Sequence, residues 1–155
     1  MPNREAIPET THRQLAADLF NHTWELLDLS ERTQDQIDEM IGAAHASRYH
    51  WSVVGEPVNL ARGDWQISRV YSALGRSEPA LYHAYRSLEI VEAAGIADFD
   101  LAFAYEALAR GHAVSGDSLE SQRYLELART AGEAIADQED RDGFFSELAT
   151  VPAVE

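Results

Sequence analysis

Residues 65–88, WQISRVYSALGRSEPALYHAYRSL, contain the clearest helical pattern of the sequence. Apolar residues recur at intervals of three and four on both sides of Gly75, which is typical of amphipathic helices. Glycine tolerates the left-handed conformation that ends many helices, and Ser77 with Pro79 is typical of the start of the next one. The stretch therefore predicts two helices joined by a turn at Gly75. Because the turn is short, we expect the two helices to be antiparallel.

The same combination of an apolar periodic segment and a glycine recurs along the chain. Four glycines are spaced by 20, 20 and 21 residues, and each follows an apolar periodic segment: Gly55, Gly75, Gly95 and Gly116. Helix start signals follow the other three glycines as well. They are Glu56-Pro57, Asp98 or Asp100, and Asp117 with Glu120. The pattern predicts a series of helices, each stopped by a glycine in the left-handed conformation.

Two further helices are predicted before Gly55. Thr11 with Gln14 suggests a capping box that opens a helix through about Asp28, and Thr33 with Gln36 suggests another through about Val54. With a short helix at the C-terminal end, the sequence predicts about seven helices and no strand, in one all-α domain. Its parts are an N-terminal helix pair (11–54), a first repeat (57–95), a second repeat (98–136) and a C-terminal capping helix (140–149), within a single domain of residues 1–155.

The two central helix pairs superpose at an offset of 41 residues. At this offset Arg69 coincides with Arg110, Gly75 with Gly116, and Ile67 with Leu108. A single helix pair cannot bury its apolar face unaided, so repeated pairs are expected to stack on one another.

The first of these stretches and its counterpart at residues 105–128, YEALARGHAVSGDSLESQRYLELA, resemble tetratricopeptide repeats. The matching features are a small residue after a large apolar one, an aromatic or histidine three residues later, the turn glycine, and a small residue five positions beyond it. They fall at Ile67-Ser68, Tyr71, Gly75 and Ala80, and at Leu108-Ala109, His112, Gly116 and Ser121. The resemblance implies antiparallel helix pairs stacked as a short right-handed superhelix, with the first helix of each pair lining a concave groove.

The groove residues follow from the resemblance, position by position. They are Arg62, Trp65, Arg69, Phe103, Glu106 and Arg110. Arginine offers a planar fork for carboxylates, and tryptophan offers a large rigid contact area. We therefore expect a non-enzymatic module that binds a peptide or partner protein in this groove. The alternative for the same residues is that the arginines pair with the protein's own carboxylates while Trp65 is simply packed.

A second hypothesis is a small-molecule-binding or catalytic pocket between the N-terminal pair and the first repeat. It would use Trp24, His50, Trp51 and Trp65. His45 and His50 lie about 140° apart around a helix, so they cannot bind one metal ion from the same face. No nucleophile elbow, dinucleotide loop or kinase signature occurs, so the sequence favours a protein that is not an enzyme and predicts no cofactor and no metal.

Composition excludes several classes of partner. The chain has 27 acidic residues against 12 arginines and no lysine, which gives a net charge of −15. Such a charge repels nucleic acid and anionic membrane surfaces. The chain has no cysteine, and we expect a soluble, cytoplasmic protein without a targeting or membrane segment. A symmetric homodimer formed through exposed Phe99, Phe103 or Phe144 is a third hypothesis.

Overall fold

The computed structural model describes residues 6–154; residues 1–5 and Glu155, which the sequence assigns to the same domain, lie outside the described part. Within 6–154 the chain forms seven α-helices and no strand, as predicted. The helices are α1 (Glu9–Leu27), α2 (Gln34–Val54), α3 (Pro57–Ala73), α4 (Ser77–Ala93), α5 (Phe99–Ser115), α6 (Ser118–Glu133) and α7 (Gln138–Leu148). None of them is both long enough and apolar enough to cross a membrane.

The helices pack mainly against their neighbours in the chain. α1 packs on α2, α3 on α4, and α5 on α6, and these pairs are joined through α2 with α3 and α4 with α5. In addition α3 contacts both α1 and α5, and α7 contacts α5 and α6. The odd-numbered helices therefore form a row in which each contacts the next, and this row carries the candidate site.

The four predicted glycines all lie at the end of a helix, and the left-handed conformation is confirmed for three of them. Gly75, Gly95 and Gly116 have φ angles of 71°, 65° and 82°, in the left-handed region that favours glycine. Gly55 also ends its helix, as the C-cap of α2, but the left-handed conformation predicted for it is wrong, because its φ of −86° and ψ of 171° are those of extended backbone. Glycine is favoured at this position because the backbone of residue 55 lies close to the preceding turn of α2: a Cβ there would lie 2.7 Å from the carbonyl oxygen of Trp51.

Helix starts follow the sequence signals in part. The capping box of Thr33 with Gln36 is present, and the Asp117 carboxylate accepts a hydrogen bond from the Glu120 N–H. The predicted capping box at Thr11 is wrong, because α1 begins two residues earlier, directly after Pro8. The carbonyl of Pro8 accepts the Thr11 N–H, so that residue already lies inside the first turn.

The offset of 41 residues reappears as a repeated contact between paired helices. The Ser68 hydroxyl donates to the carbonyl of Ala80 at 2.8 Å, and the Ser121 hydroxyl donates to the carbonyl of Ala109 at 3.0 Å. Positions 68 and 109 correspond at this offset, as do positions 80 and 121. The serine lies on the first helix of one pair (Ser68, α3) and on the second helix of the other (Ser121, α6). A buried hydroxyl-to-carbonyl bond nevertheless joins equivalent positions in both pairs.

A second pair of equivalent positions carries a stacked tyrosine and histidine. The rings of Tyr71 and His83 are 6.3 Å apart at 18°, and those of His112 and Tyr124 are 5.6 Å apart at 3°. The two residue types exchange places between the helix pairs while the stacking is kept. The two central pairs thus share the geometry of their internal packing.

Two apolar clusters stabilise the two ends of the row. Met40 and Ile67 lie in the cluster formed by α1 to α4, while Phe103, Phe144 and Leu148 lie in the cluster where α7 packs on α5 and α6. Burial of side chains of this size contributes about 1.5–3 kcal/mol each. The capping helix predicted at the C-terminal end is thus held by an apolar cluster that it shares with α5 and α6.

Candidate functional site

An open groove runs along the row of odd-numbered helices. It has a volume of about 440 Å³ and is called the aromatic groove after the side chains that line it: Phe20, Trp24, Arg62, Trp65, Phe99 and Asp140. α1 and α7 supply opposite ends of this set, and α3 and α5 supply the middle. Phe20 and Trp24 share a face of α1 because they are four residues apart.

The aromatic rings of the groove support one another. The ring of Trp65 lies 5.4 Å from that of Trp24 and 5.0 Å from that of Phe103, and the Phe99 ring lies 4.6 Å from Phe103. Phe103 is buried beneath them, while the other three are half-buried. The groove therefore has a packed base and partly exposed ring faces, an arrangement suited to receiving an apolar or cationic side chain.

Arg62 lies in the groove with its charge already matched. Its Nε donates to Oδ1 of Asp100 at 2.8 Å, and its Nη2 donates to Oδ2 at 3.1 Å, a two-pronged pair. Hydrogen bonding to Asp100 raises the pKa of Arg62. The guanidinium carbon also lies 6.0 Å from the centre of the Phe99 ring. With 46% of its side chain exposed, Arg62 can still contact a ligand.

A smaller depression adjoins the aromatic groove. Its volume is about 200 Å³, and it is lined by Ala17, Phe20, Asn21, Trp51, Asn59 and Arg62. It shares Phe20 and Arg62 with the groove, so the two form one continuous concave surface. Arg13 covers part of Trp51, with its guanidinium carbon 5.7 Å from the ring centre.

The structure places the six predicted groove residues in two groups. Arg62 and Trp65 line the aromatic groove, but Phe103, Glu106 and Arg110 are only 6%, 2% and 7% exposed. The expectation of an open surface is therefore wrong for Phe103 and Glu106, because α7 and the segment after it pack over this part of α5. Arg110 lines, with Arg69, a separate depression of about 180 Å³.

Arg69 joins Glu106 and Arg110 in a second arrangement, here called the buried ion cluster. Arg110 Nε and Nη2 donate to Glu106 Oε1 at 2.8 and 2.5 Å, and Arg69 Nη1 lies 3.7 Å from the same oxygen. Arg69 also contacts Glu147 of α7 at 3.2 Å. Burial raises the pKa of Glu106, and both guanidinium groups oppose that rise. The alternative in which these arginines pair with the protein's own carboxylates thus describes all three, since Arg62 pairs with Asp100 and Arg69 and Arg110 pair with Glu106.

The residues of the second hypothesis are also divided. Trp24 and Trp65 line the aromatic groove and Trp51 lines the smaller depression, but His50 lines neither. Instead its Nδ1 lies 2.8 Å from Nδ1 of His12. In such a pair one ring must donate and the other must accept, so both rings cannot be protonated while the bond exists.

The His12–His50 pair predicts a loss of stability in acid. Burial lowers the pKa of His50 below 6.5 in the folded state, and the nearby His12 lowers it further. The unfolded chain then binds more protons, so the stabilisation present above pH 6.5 is lost as the pH falls through the folded pKa. We expect the Tm to fall between pH 7.5 and 5, and we expect His50→Asn to reduce that fall.

His22→Asn is the matched control for this prediction. Hydrogen bonds to Glu39 and Glu25 raise the pKa of His22, so this histidine stabilises the fold below pH 6.5 and the contribution is lost as pH rises through its folded pKa. Its removal should therefore steepen the loss in acid. Calorimetric scans across the range test both signs, and an unchanged pH dependence in His50→Asn would contradict the assignment.

A polar network elsewhere joins α2, α3 and α4. The buried carboxylate of Asp64 accepts from Nδ1 of His83 at 2.8 Å and from Nε of Arg48 at 3.1 Å. His45 Nε2 lies 2.9 Å from the Tyr71 hydroxyl. Among residues 6–154, no three histidine or acidic side chains are grouped so that they could hold a metal ion. The hydrogen bonds of the network join α2 to α3 and α3 to α4.

Sequence reasoning missed three of the residues that line the groove. Phe20 and Asp140 were not considered, and Phe99 was considered only for a dimer interface. Of the three phenylalanines proposed for that interface, Phe103 and Phe144 are buried inside the protein and cannot serve it. The sequence does contain a signal for both phenylalanines. Phe20 lies four residues before Trp24 and Phe99 four residues before Phe103, a spacing that places side chains on the same face of a helix.

Comparisons with known proteins do not identify a family or a function for this site. No protein-family model matches the chain, and neither the curated proteins nor the solved structures yield a match. The functional argument therefore depends on the geometry and chemistry of the aromatic groove.

Proposed function

We propose that the protein is a non-enzymatic, tetratricopeptide-like module that binds a peptide or a partner protein in the aromatic groove. The observation that carries the proposal is the open surface of about 440 Å³ in which Trp24, Trp65 and Phe99 leave ring area exposed beside Arg62. A monomer gains little by leaving several aromatic rings partly exposed on one concave face. Binding surfaces commonly use such residues as anchors.

The groove offers a peptide two kinds of contact. The indole and phenyl faces would bury apolar groups, and the exposed part of the Arg62 guanidinium would donate to backbone carbonyls. Because Trp65 rests on the buried Phe103 ring, its indole would lose little freedom on binding. Preorganised rings of this kind favour affinity.

The lining residues favour binding over catalysis. Arg62 and Asp140 are the titratable side chains among the six that line the groove. A nucleophile held by a neighbouring base, the usual sign of covalent catalysis, is not formed by that set. The histidines of the described helices make their contacts elsewhere, as His50 does with His12.

A small-molecule ligand is the second candidate, and one observation favours it. The smaller depression is lined by Asn21 and Asn59 as well as by Trp51, a combination of polar and aromatic residues typical of ligand pockets. A compound that raises the Tm of the wild type but not of Trp51→Ala would support this candidate.

The proposed function predicts that peptide binding depends on Trp24. Peptides selected by the wild-type protein from a displayed random library should bind Trp24→Ala at least tenfold more weakly, since a central aromatic anchor contributes about 2 kcal/mol or more. Titration calorimetry measures the affinities, and circular dichroism checks that the variant is folded.

Tyr82→Ala is the control for this experiment. Tyr82 lies on α4 and is 59% exposed, so the substitution removes a comparable aromatic ring from a surface outside the groove. Its affinity for the selected peptides should equal that of the wild type. Equal binding by wild type and Trp24→Ala would refute the groove as the binding site.

A further inference from the structure

We propose that the peptide bound in the aromatic groove presents an arginine or lysine side chain to the indole rings of Trp24 and Trp65, next to the carboxylate of Asp140. The proposal rests on the proposed function and specifies the chemistry of its ligand.

The charges of the groove favour a cationic occupant. Arg62 is already neutralised by its two hydrogen bonds to Asp100. Asp140 is exposed, lines the groove, and forms no ion pair with any other residue of 6–154. The groove therefore presents one uncompensated carboxylate, on a protein whose net charge is −15. This field attracts cationic peptides and repels acidic ones.

The aromatic faces favour the same occupant. A cation placed over an aromatic ring within about 6 Å is attracted by the ring's electron-rich face, and tryptophan is the best such ring. The protein uses this contact itself at two places on the concave surface. Arg62 lies over Phe99 at 6.0 Å, and Arg13 lies over Trp51 at 5.7 Å. Trp24 and Trp65 offer the same chemistry to a side chain from outside.

Other occupants leave part of the site unsatisfied. A purely apolar side chain would cover the rings but would take Asp140 partly out of water without a partner, which costs free energy. An acidic side chain could reach Arg62 only in competition with Asp100, and it would be repelled by Asp140. A guanidinium or ammonium group satisfies the rings and the carboxylate together.

The test begins with peptides selected from a displayed random library by the wild-type protein. We expect the peptides that depend on Trp24 to share an arginine or lysine at one position. Replacing that residue with its neutral counterpart, citrulline for arginine or acetyl-lysine for lysine, should weaken binding about tenfold. Titration calorimetry gives the affinities.

Asp140→Asn locates the cation in the groove. In this variant the cationic and the neutral peptide should differ much less than in the wild type, because the carboxylate that distinguishes them is gone. Asp142→Asn is the matched control. Asp142 is exposed on the same helix, where it accepts a hydrogen bond from Gln138, and its removal changes the net charge equally. It should leave the difference at its wild-type value.

The outcomes separate this proposal from the proposed function. Selected peptides that need Trp24 but carry no common cationic residue would overturn the cation assignment and leave the groove as a binding site. An equal loss in Asp140→Asn and Asp142→Asn would also overturn it, since the effect would then come from net charge. A selection that yields no peptide dependent on Trp24 would contradict both proposals.

Discussion

Arg110→Met is expected to lower the free energy of unfolding by about 3–5 kcal/mol. The substitution removes the main partner of the Glu106 carboxylate, which is 2% exposed and cannot regain contact with water. Arg69 remains near Glu106, but its distance of 3.7 Å is longer than the two Arg110 hydrogen bonds. Chemical denaturation followed by circular dichroism measures the loss.

The same substitution should loosen the segment that follows α7. The Arg110 guanidinium donates to the carbonyl of Glu147 at 3.2 Å and to the hydroxyl of Thr150 at 2.8 Å. Without these bonds, the amides around Thr150 should exchange with solvent faster than in the wild type. Faster exchange there would show that Arg110 serves as a clamp on this segment.

A double variant distinguishes an unpaired charge from lost packing. Glu106→Leu combined with Arg110→Met replaces both charged partners with apolar side chains, so no buried carboxylate is left alone. It should be more stable than Arg110→Met. If the single variant lies within about 1 kcal/mol of the wild type, the ion cluster does not have the stabilising role assigned to it.

Phe144→Ala is the second substitution with a large expected effect, about 3–5 kcal/mol. Phe144 is fully buried, and its ring packs edge-on against Phe103 with the centres 5.0 Å apart. Gly132 leaves the space for this ring, because a Cβ there would lie 2.3 Å from it. The expected result is detachment of α7, with loss of helical signal and of stability.

Leu119→Ala is the control for the Phe144 substitution. Leu119 is a large apolar residue that is 78% exposed on α6, so its truncation should change stability by no more than about 0.5 kcal/mol. Detachment of α7 would also remove Asp140 from the groove, so Phe144→Ala should lose the preference for cationic peptides. Retention of full stability would contradict the role of Phe144 as the anchor of α7.

Much of the fold could be predicted from the sequence because its signals are local. Apolar spacing and the glycine stops at Gly75, Gly95 and Gly116 depend on a few adjacent residues, and they gave the number and type of the helices correctly. Gly55 was misread because its requirement is a close approach to Trp51 rather than a left-handed turn. The resemblance to tetratricopeptide repeats remains a prediction.

The site was less accessible to sequence reasoning because its parts come from distant segments. The resemblance to tetratricopeptide repeats implies a concave face for Trp65, but whether Phe103 and Glu106 are exposed depends on where α7 docks. Glu147 contacts Arg69 across a separation of 78 residues, and no local pattern encodes that contact. Whether Phe20 lines the groove likewise depends on how α1 is rotated against α3.

Nuclear magnetic resonance can locate the peptide on the protein and so test whether the aromatic groove is the binding surface. A selected peptide is titrated into isotope-labelled protein, and the amide and indole signals are followed. We expect the shifts to concentrate on the indole N–H groups of Trp24 and Trp65 and on the amides of α1, α3 and the start of α5. Shifts concentrated instead on α4 and α6, around Tyr82 and Leu119, with both indoles unmoved, would contradict this expectation.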